Sequence, residues 1–315
     1  MESDFIKSAV IQESSGNYFA SDSISVSGLK RIKQSPAHYK EAEVKEETDA
    51  MRFGSAYHCY ILEPDRFEND YYIFDDRAIC EALINDGYKS PRSTKDYKAW
   101  QESEMRVIGE KKVIQKEEFE RIKAMKDRLF QHPYAKMLLT GGEAEIGLNG
   151  TLDTQSGQIN IKLKPDYVKQ GKHIVIDLKT AADASLDGFT RAAADNDYHI
   201  QAAFYSDILE LMSDDGMGWM FVFIAQEKTK PYAFNLFEAS PQFLAQGRYE
   251  YEILLQLYKF CIDNNRWPGY QVFCPNRFGL LQLNLPKYAI KSLDYYDHNS
   301  KKHELKPTNI TGVAV

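Results

Sequence analysis

Between residues 143 and 179 the chain stops reading in helical turns and starts reading in alternating, β-branched runs. This change constrains the fold more than any other feature. EAEIGLNGTLD, QINIKLKPDYVK and HIVIDLKTA are short runs separated by Gly-containing turns, the pattern of a three-strand meander. Helical text lies on both sides. SVSGLKRIKQSPAHYK, from Ser25, reads as a capped short helix broken near Pro36. In residues 51–67 the apolar positions Phe53, Ala56, Tyr57, Tyr60 and Ile61 recur at helical spacing up to a stop at Pro64. Residues 94–132 carry an apolar stripe through charged text, one long helix or a helix pair. FTRAAADNDYHIQAAFYSDILELM is helical, GWMFVFIAQ and PYAFNLFEA are strands, and 241–265 is a helix ending near Trp267. The expected architecture is α/β, with a core sheet inside a helical frame.

Residues 1–22, polar and Ser-rich, read as a flexible N-terminal arm, 23–285 as a single domain and 286–315 as a C-terminal tail. No window approaches the roughly 18 consecutive apolar residues of a membrane span, and the first residues show no secretory pattern. The expected location is the cytoplasm, with no membrane partner. Cys59, Cys80, Cys261 and Cys274 show no C-x-x-C pairing, so four reduced, packed thiols are expected rather than a zinc ribbon or an iron–sulfur cluster. The net charge of −7 argues against a surface coated all over with nucleic acid, but it leaves room for a local basic groove.

Chemistry concentrates at the end of the strand region. Pro165-Asp166 closes one run, and Asp177-Leu178-Lys179 follows eleven residues after Asp166, emerging from the apolar run His173-Ile174-Val175-Ile176. Strand alternation puts Asp177 and Lys179 on one face. If the two strands pair, Asp166 sits beside them. Two converging carboxylates make a hard-oxygen site suited to Mg²⁺, and a lysine two residues on can orient water or balance charge on phosphorus. Asp and Lys two apart on a strand are also the ordinary pattern of a surface ion pair. Downstream, Gln201 and Tyr205 are i and i+4 on a helix and share a face. Upstream, His58 lies on the helix that begins MRFGSAYH, and Gly54 beside it suggests the close approach of another backbone.

The series Gly54-x-x-x-His58, Pro165-Asp166, Asp177-x-Lys179 and Gln201-x-x-x-Tyr205, in that order, resembles the PD-(D/E)xK nuclease superfamily in its RecB-like branch. Within that branch it is most similar to the RecE-type exonucleases (exodeoxyribonuclease VIII) of phage and prophage recombination systems, over about Ser23 to Pro268. The resemblance implies a restriction-endonuclease-like core sheet flanked by helices, with a helical N-terminal region. It makes His58, Asp166, Asp177 and the Leu178 backbone carbonyl metal ligands and Lys179 the catalytic lysine. Gln201 and Tyr205 become supporting residues. It further implies two Mg²⁺ ions, with Mn²⁺ as a substitute, and 5′→3′ digestion of linear duplex DNA from its ends. A ring-shaped trimer or tetramer and a single-strand annealing partner complete the expectation. Two features depart from the pattern: Lys164 stands before Pro165 where Arg is expected, and the cluster cysteines of some relatives are absent.

A nuclease needs cations near its carboxylates. Residues 88–98 hold Lys89, Arg92, Lys95 and Lys98 against Asp96, and Lys30, Arg31 and Lys33 form a second cluster. Lys30, Arg31, Lys33, Arg92, Lys95 and Lys164 are the candidate DNA contacts. An endonuclease or single-strand nuclease of the same fold, and a non-catalytic DNA-binding recombination accessory, are the alternatives.

Overall fold

The computed structural model of the protein describes residues 5–13, 23–43, 46–213, 215–270, 281–286, 295–296 and 302–303. The chain forms two compact units, residues 1–269 and 270–315. In the smaller unit, β11 (Tyr295–Tyr296) pairs with β12 (Lys302–His303). Cys274 and most of the expected tail lie outside the described residues.

The larger unit begins with β1 (Ile6–Glu13) and α1 (Val26–Gln34), then α2 (Pro36–Lys40), α3 (Asp49–Leu62), α4 (Pro64–Asp70) and β2 (Tyr71–Phe74). Next come α5 (Arg77–Asn85), α6 (Lys95–Ile108), β3 (Lys112–Gln115), α7 (Lys116–Phe130) and α8 (Pro133–Leu138). Five strands follow: β4 (Glu143–Ala144), β5 (Leu148–Thr154), β6 (Gly157–Leu163), β7 (Tyr167–Lys169) and β8 (Ile174–Ala181). The unit ends with α9 (Leu186–Asp195), α10 (Tyr198–Ser213), β9 (Met220–Glu227), β10 (Phe234–Glu238) and α11 (Pro241–Asp263). This is the expected α/β class.

A five-stranded sheet of order β10-β9-β8-β7-β4 forms the centre, with β8 parallel to β9 and its other pairs antiparallel. The parallel pair needs a crossover, and α9 and α10 supply it. Alternation along β8 and β9 feeds two cores. Val175, Phe221, Phe223 and Ala225 pack with apolar residues of α1, α10 and α11. Ile176, Leu178, Val222 and Ile224 pack with those of α3 and α7. The helices α10 and α11 meet so closely that a Cβ on Gly247 would lie 2.0 Å from the His199 carbonyl oxygen, so only glycine fits there.

The meander expected over 143–179 is instead split between two sheets. Its first pair, β5 and β6, joins β1 in a three-stranded sheet of order β1-β5-β6, while β7 and β8 belong to the five-stranded one. The split falls at Lys164-Pro165-Asp166, where proline has no N–H for a ladder and fixes φ. The expected flexible arm also contains a strand, because β1 pairs with β5 from Ile6↔Thr154 to Glu13↔Leu148. The helix of 94–132 is a pair, with α6 closed by Gly109 at φ 56° and β3 inserted before α7. The downstream helix breaks at Asp197, whose φ of 53° no helix accommodates, and this break places Tyr198 at the start of α10.

Candidate active site

Strand β7 stops at Tyr167, paired with Ile176, so the edge of β8 beyond Ile176 has no backbone partner on that side. Asp166, one residue before β7, continues the ladder with its side chain: the Leu178 N–H donates to Asp166 Oδ2 at 2.8 Å. This holds the Asp166 carboxylate beside Leu178 and Asp177. From the other direction α3 brings His58, whose Nδ1 is 3.5 Å from the same Asp166 oxygen. A buried bond fixes α3 against the sheet, since the Tyr57 hydroxyl donates to Gln226 Oε1 on β9 at 2.6 Å.

Asp177 is 1 % exposed. Lys179 Nζ lies 2.7 Å from Asp177 Oδ2, and Gln201 Nε2 donates to Asp177 Oδ1 at 2.5 Å. A buried carboxylate is tolerable only when paired and hydrogen-bonded, and these two partners meet that requirement. Burial alone would lower the Lys179 ammonium, but Asp177 and Asp166 outweigh it and hold it well above the usual lysine range, so it is a cation here and not a free base. Burial pushes the Asp166 carboxyl up to about 6; His58 and Lys179 oppose the rise, and the Asp177 charge adds to it.

The structure thus brings His58, Asp166, Asp177, Leu178, Lys179 and Gln201 to one place. Tyr205, one turn beyond Gln201, lies in the core against α10's other neighbours, with ring contacts to Phe204 and Phe221. At Gly54 a Cβ would meet nothing within 4 Å, so the expected close backbone approach is absent. Instead, the glycine leaves open space one turn before His58 on the same face of α3.

Two residues of the site went unnoticed in the sequence. Glu145, just past β4, has a carboxylate that lies with His58 and Asp166 in a group whose ligand atoms are all within 4.8 Å of one another. Its N–H donates to the Asp166 carbonyl at 3.0 Å and its φ is 54°, a backbone state that no spacing rule announces. Tyr198 stacks on Phe223 and sits under the Lys179 ammonium, 5.0 Å from its ring centroid. Its signal was available, because it is three residues before Gln201 and so on the same helix face.

The candidate DNA contacts scatter. Lys30 reaches the site, with its Nζ 5.3 Å from the Tyr198 ring centroid. Lys164 is paired with Glu145. Lys33 is held at 2.5 Å by Asp197 and 2.6 Å by Glu250. Arg92 forms a fork on Asp76 at 2.7 and 3.0 Å, joined there by the Tyr97 hydroxyl. Arg31 and Lys95 are exposed. Cys59 and Cys261 are buried free thiols and Cys80 is a half-buried one. Among the described residues no helix is long and apolar enough to cross a membrane.

The donor set suits a divalent cation. His58 Nδ1, the Glu145 carboxylate and the Asp166 carboxylate converge, with the Asp177 carboxylate nearby through its effect on Asp166. Three carboxylates and one imidazole match a hard ion such as Mg²⁺ or Mn²⁺ rather than a thiolate-seeking one.

A search of curated proteins finds no match. Among solved structures, the chain is similar to a crystal structure from Eubacterium rectale provisionally described as an exonuclease. The TM-score is 0.54 and the identity 18%, over 87% of this chain and 96% of that one. At that identity the likeness speaks for the fold. Residues 25–275 match the family described as PDDEXK-like domain of unknown function (DUF3799). A match over that much of the chain, on a site built from Asp166, Asp177 and Lys179, shows that the chain belongs to this PDDEXK-like family.

Proposed function

We propose that the protein is a metal-dependent exodeoxyribonuclease that digests linear duplex DNA from its ends, 5′→3′, leaving 3′ single strands for recombination by annealing. The observation that carries the reading is the convergence of Asp166, Asp177 and Lys179 with His58 and Gln201 at one edge of β8. An ordinary surface ion pair would leave Asp177 exposed, whereas here the carboxylate is buried and acts on Asp166, which gathers with His58 and Glu145 in a group able to hold a metal ion.

His58, Glu145, Asp166 and Asp177, with the Leu178 carbonyl, would hold two Mg²⁺ ions. When bound, these would supply Lewis-acid stabilisation of phosphate charge. The chain's own residues do the rest. Lys179, kept cationic by Asp177, offers its ammonium to the negative charge that builds on phosphorus. Gln201 holds the opposite Asp177 oxygen, so that the carboxylate cannot turn away from the site. Tyr198 supports Lys179 from beneath through its ring face. A ring-shaped oligomer around duplex DNA and a single-strand annealing partner belong to the same proposal and rest on the resemblance to RecE-type exonucleases.

The test is a gel assay of 5′-phosphorylated linear duplex against covalently closed circular duplex, each with Mg²⁺ and with EDTA, for wild type and Lys179→Ala. Loss of linear DNA alone, with Mg²⁺ alone and with wild type alone, is the expected result. Cleavage of the circle would replace the exonuclease with an endonuclease, and no cleavage of either would leave a DNA-binding accessory.

A further inference from the structure

Lys30 is the cation of the site whose chemistry is least settled by its neighbours. It projects from α1, and its Nζ donates to the Asn196 carbonyl at 2.6 Å, at the end of α9. The same ammonium lies over the Tyr198 ring, 5.3 Å from the centroid, while Lys179 lies 5.0 Å from that centroid. Two ammonium groups therefore share one aromatic ring. Lys179 is neutralised by Asp177 at 2.7 Å. Among the described residues Lys30 forms no ion pair, and its bonded partner is a carbonyl. The carboxylates that pull on it are Asp197, already held by Lys33 at 2.5 Å, and Asp177, already held by Lys179 at 2.7 Å. Burial, with the Lys179 charge adding to it, lowers the Lys30 ammonium to about 8, against the pull of Asp197 and Asp177. A part-buried ammonium beside a second cation, bonded to a neutral carbonyl, is a site short of one anion.

Resting on the nuclease reading, we propose that Lys30 is a second phosphate-binding cation of the active site, which with Lys179 and their shared Tyr198 ring grips the DNA backbone at the reacting end. The occupant is a phosphodiester or terminal phosphate oxygen. It would supply the missing charge and accept from an ammonium already held in place by the ring and the Asn196 carbonyl. Lys33, three residues on, is excluded from this role by its two carboxylates. The basic cluster of α1 therefore divides into one lysine for the substrate and one for the fold.

The experiment uses the full chain. Binding of a short labelled duplex with Ca²⁺ in place of Mg²⁺ is followed across a salt series, and turnover is measured with Mg²⁺, for wild type, Lys30→Gln, Lys30→Arg and Lys33→Gln. Lys30→Gln keeps a donor for the Asn196 carbonyl but removes the charge. It is expected to reduce the slope of log affinity against log salt by about 0.9, the share of one phosphate contact, and to lower turnover by roughly 10- to 100-fold. Lys30→Arg is expected to restore the slope. Lys33→Gln should lower the melting temperature and leave the slope alone. An unchanged slope and turnover in a folded Lys30→Gln would make Lys30 a cap on α9 and overturn the proposal. If Lys30→Gln fails to fold, lysine-acetylation footprinting of the wild type by mass spectrometry decides: duplex that shields Lys30 supports the proposal, and equal labelling with and without duplex overturns it. Wild type that cuts DNA while Lys30→Gln matches it sinks this inference alone. Wild type that neither cuts nor binds duplex sinks the nuclease reading and this inference with it.

Discussion

Asp166 and Leu178 are joined across the end of β7 by a side-chain-to-backbone bond of 2.8 Å, so a carboxylate takes the place of the next rung of the ladder. The strand pair ends where the chemistry begins. That bond ties the Asp166 carboxylate straight to the backbone of β8 beside Asp177, and a group fastened to a rigid strand is placed more accurately than one left on a free loop.

Lys179→Ala is expected to abolish turnover, with a loss of about 1,000-fold or more in a single-turnover assay. The buried Asp177 carboxylate then keeps only Gln201 among its described side-chain partners. The metal-free variant should therefore be less stable by about 3 kcal/mol, the lower range for breaking a buried pair. Added Mn²⁺ should return part of that stability in thermal melts. A Lys179→Ala protein that still digests DNA would remove Lys179 from the mechanism.

Glu145→Gln tests the ligand that the sequence did not disclose. Calorimetric titration with Mn²⁺ should show affinity lowered by roughly tenfold or more, with the Lys164 side chain freed from its ion pair. Undiminished binding would assign Glu145 to Lys164 alone.

The raised Asp166 carboxyl gives metal binding a pH dependence. Below about 6 a proton competes with the ion, so Mn²⁺ affinity at about pH 5 should be roughly tenfold weaker than at about pH 7.5. Metal-free stability runs the other way. A carboxyl whose folded value lies above the ordinary 3.8 is protonated more readily in the native state, so its contribution is present at low pH and is lost as pH rises from 3.8 through about 6. Asp166→Asn should abolish this fall in melting temperature. The same fall in the variant would place its origin elsewhere.

The Tyr57–Gln226 bond predicts a defect seated away from the carboxylates. Gln226 is fully buried and also donates to the Met125 and Tyr232 carbonyls at 3.0 and 3.2 Å. Gln226→Ala strands the buried Tyr57 hydroxyl, removes the bonds to the Met125 and Tyr232 carbonyls and leaves a void, and should cost about 3 kcal/mol in urea unfolding. Tyr57→Phe should cost about 1 kcal/mol. Both loosen α3, so Mn²⁺ affinity should fall through His58. Normal metal binding in a destabilised Gln226→Ala protein would show that His58 is positioned without this bond.

The sequence made the α/β class legible, along with the helices from α1 to α11 that carry strong periodicity and the stretch from Asp166 to Lys179. In each case the cause is local. A β-branched run alternates faces, so Asp177 and Lys179 had to share one. A proline ends a strand, and apolar residues at helical spacing must find a core. The residues that escaped were placed by contacts remote in the chain. Glu145 reaches Asp166 because β4 pairs with β7, Tyr198 starts a helix because Asp197 adopts positive φ, and β1 exists because β5 accepts it.

The fate of the cations shows the same division. Lys30, Lys33, Arg92 and Lys164 are indistinguishable as text, each a charge in a basic or mixed stretch. Which of them meets a carboxylate is settled when distant elements close on one another: α1 on Glu250 of α11, α6 and its preceding turn on Asp76, and Glu145 on Lys164. The sequence by itself determined the residue types, their alternation and the elements they favour, because those follow from the geometry of neighbouring residues. The tertiary structure alone decided which charges are spent on the fold and which face the site, because Coulomb energy depends on separation in space and burial, and neither is written in the order of the chain.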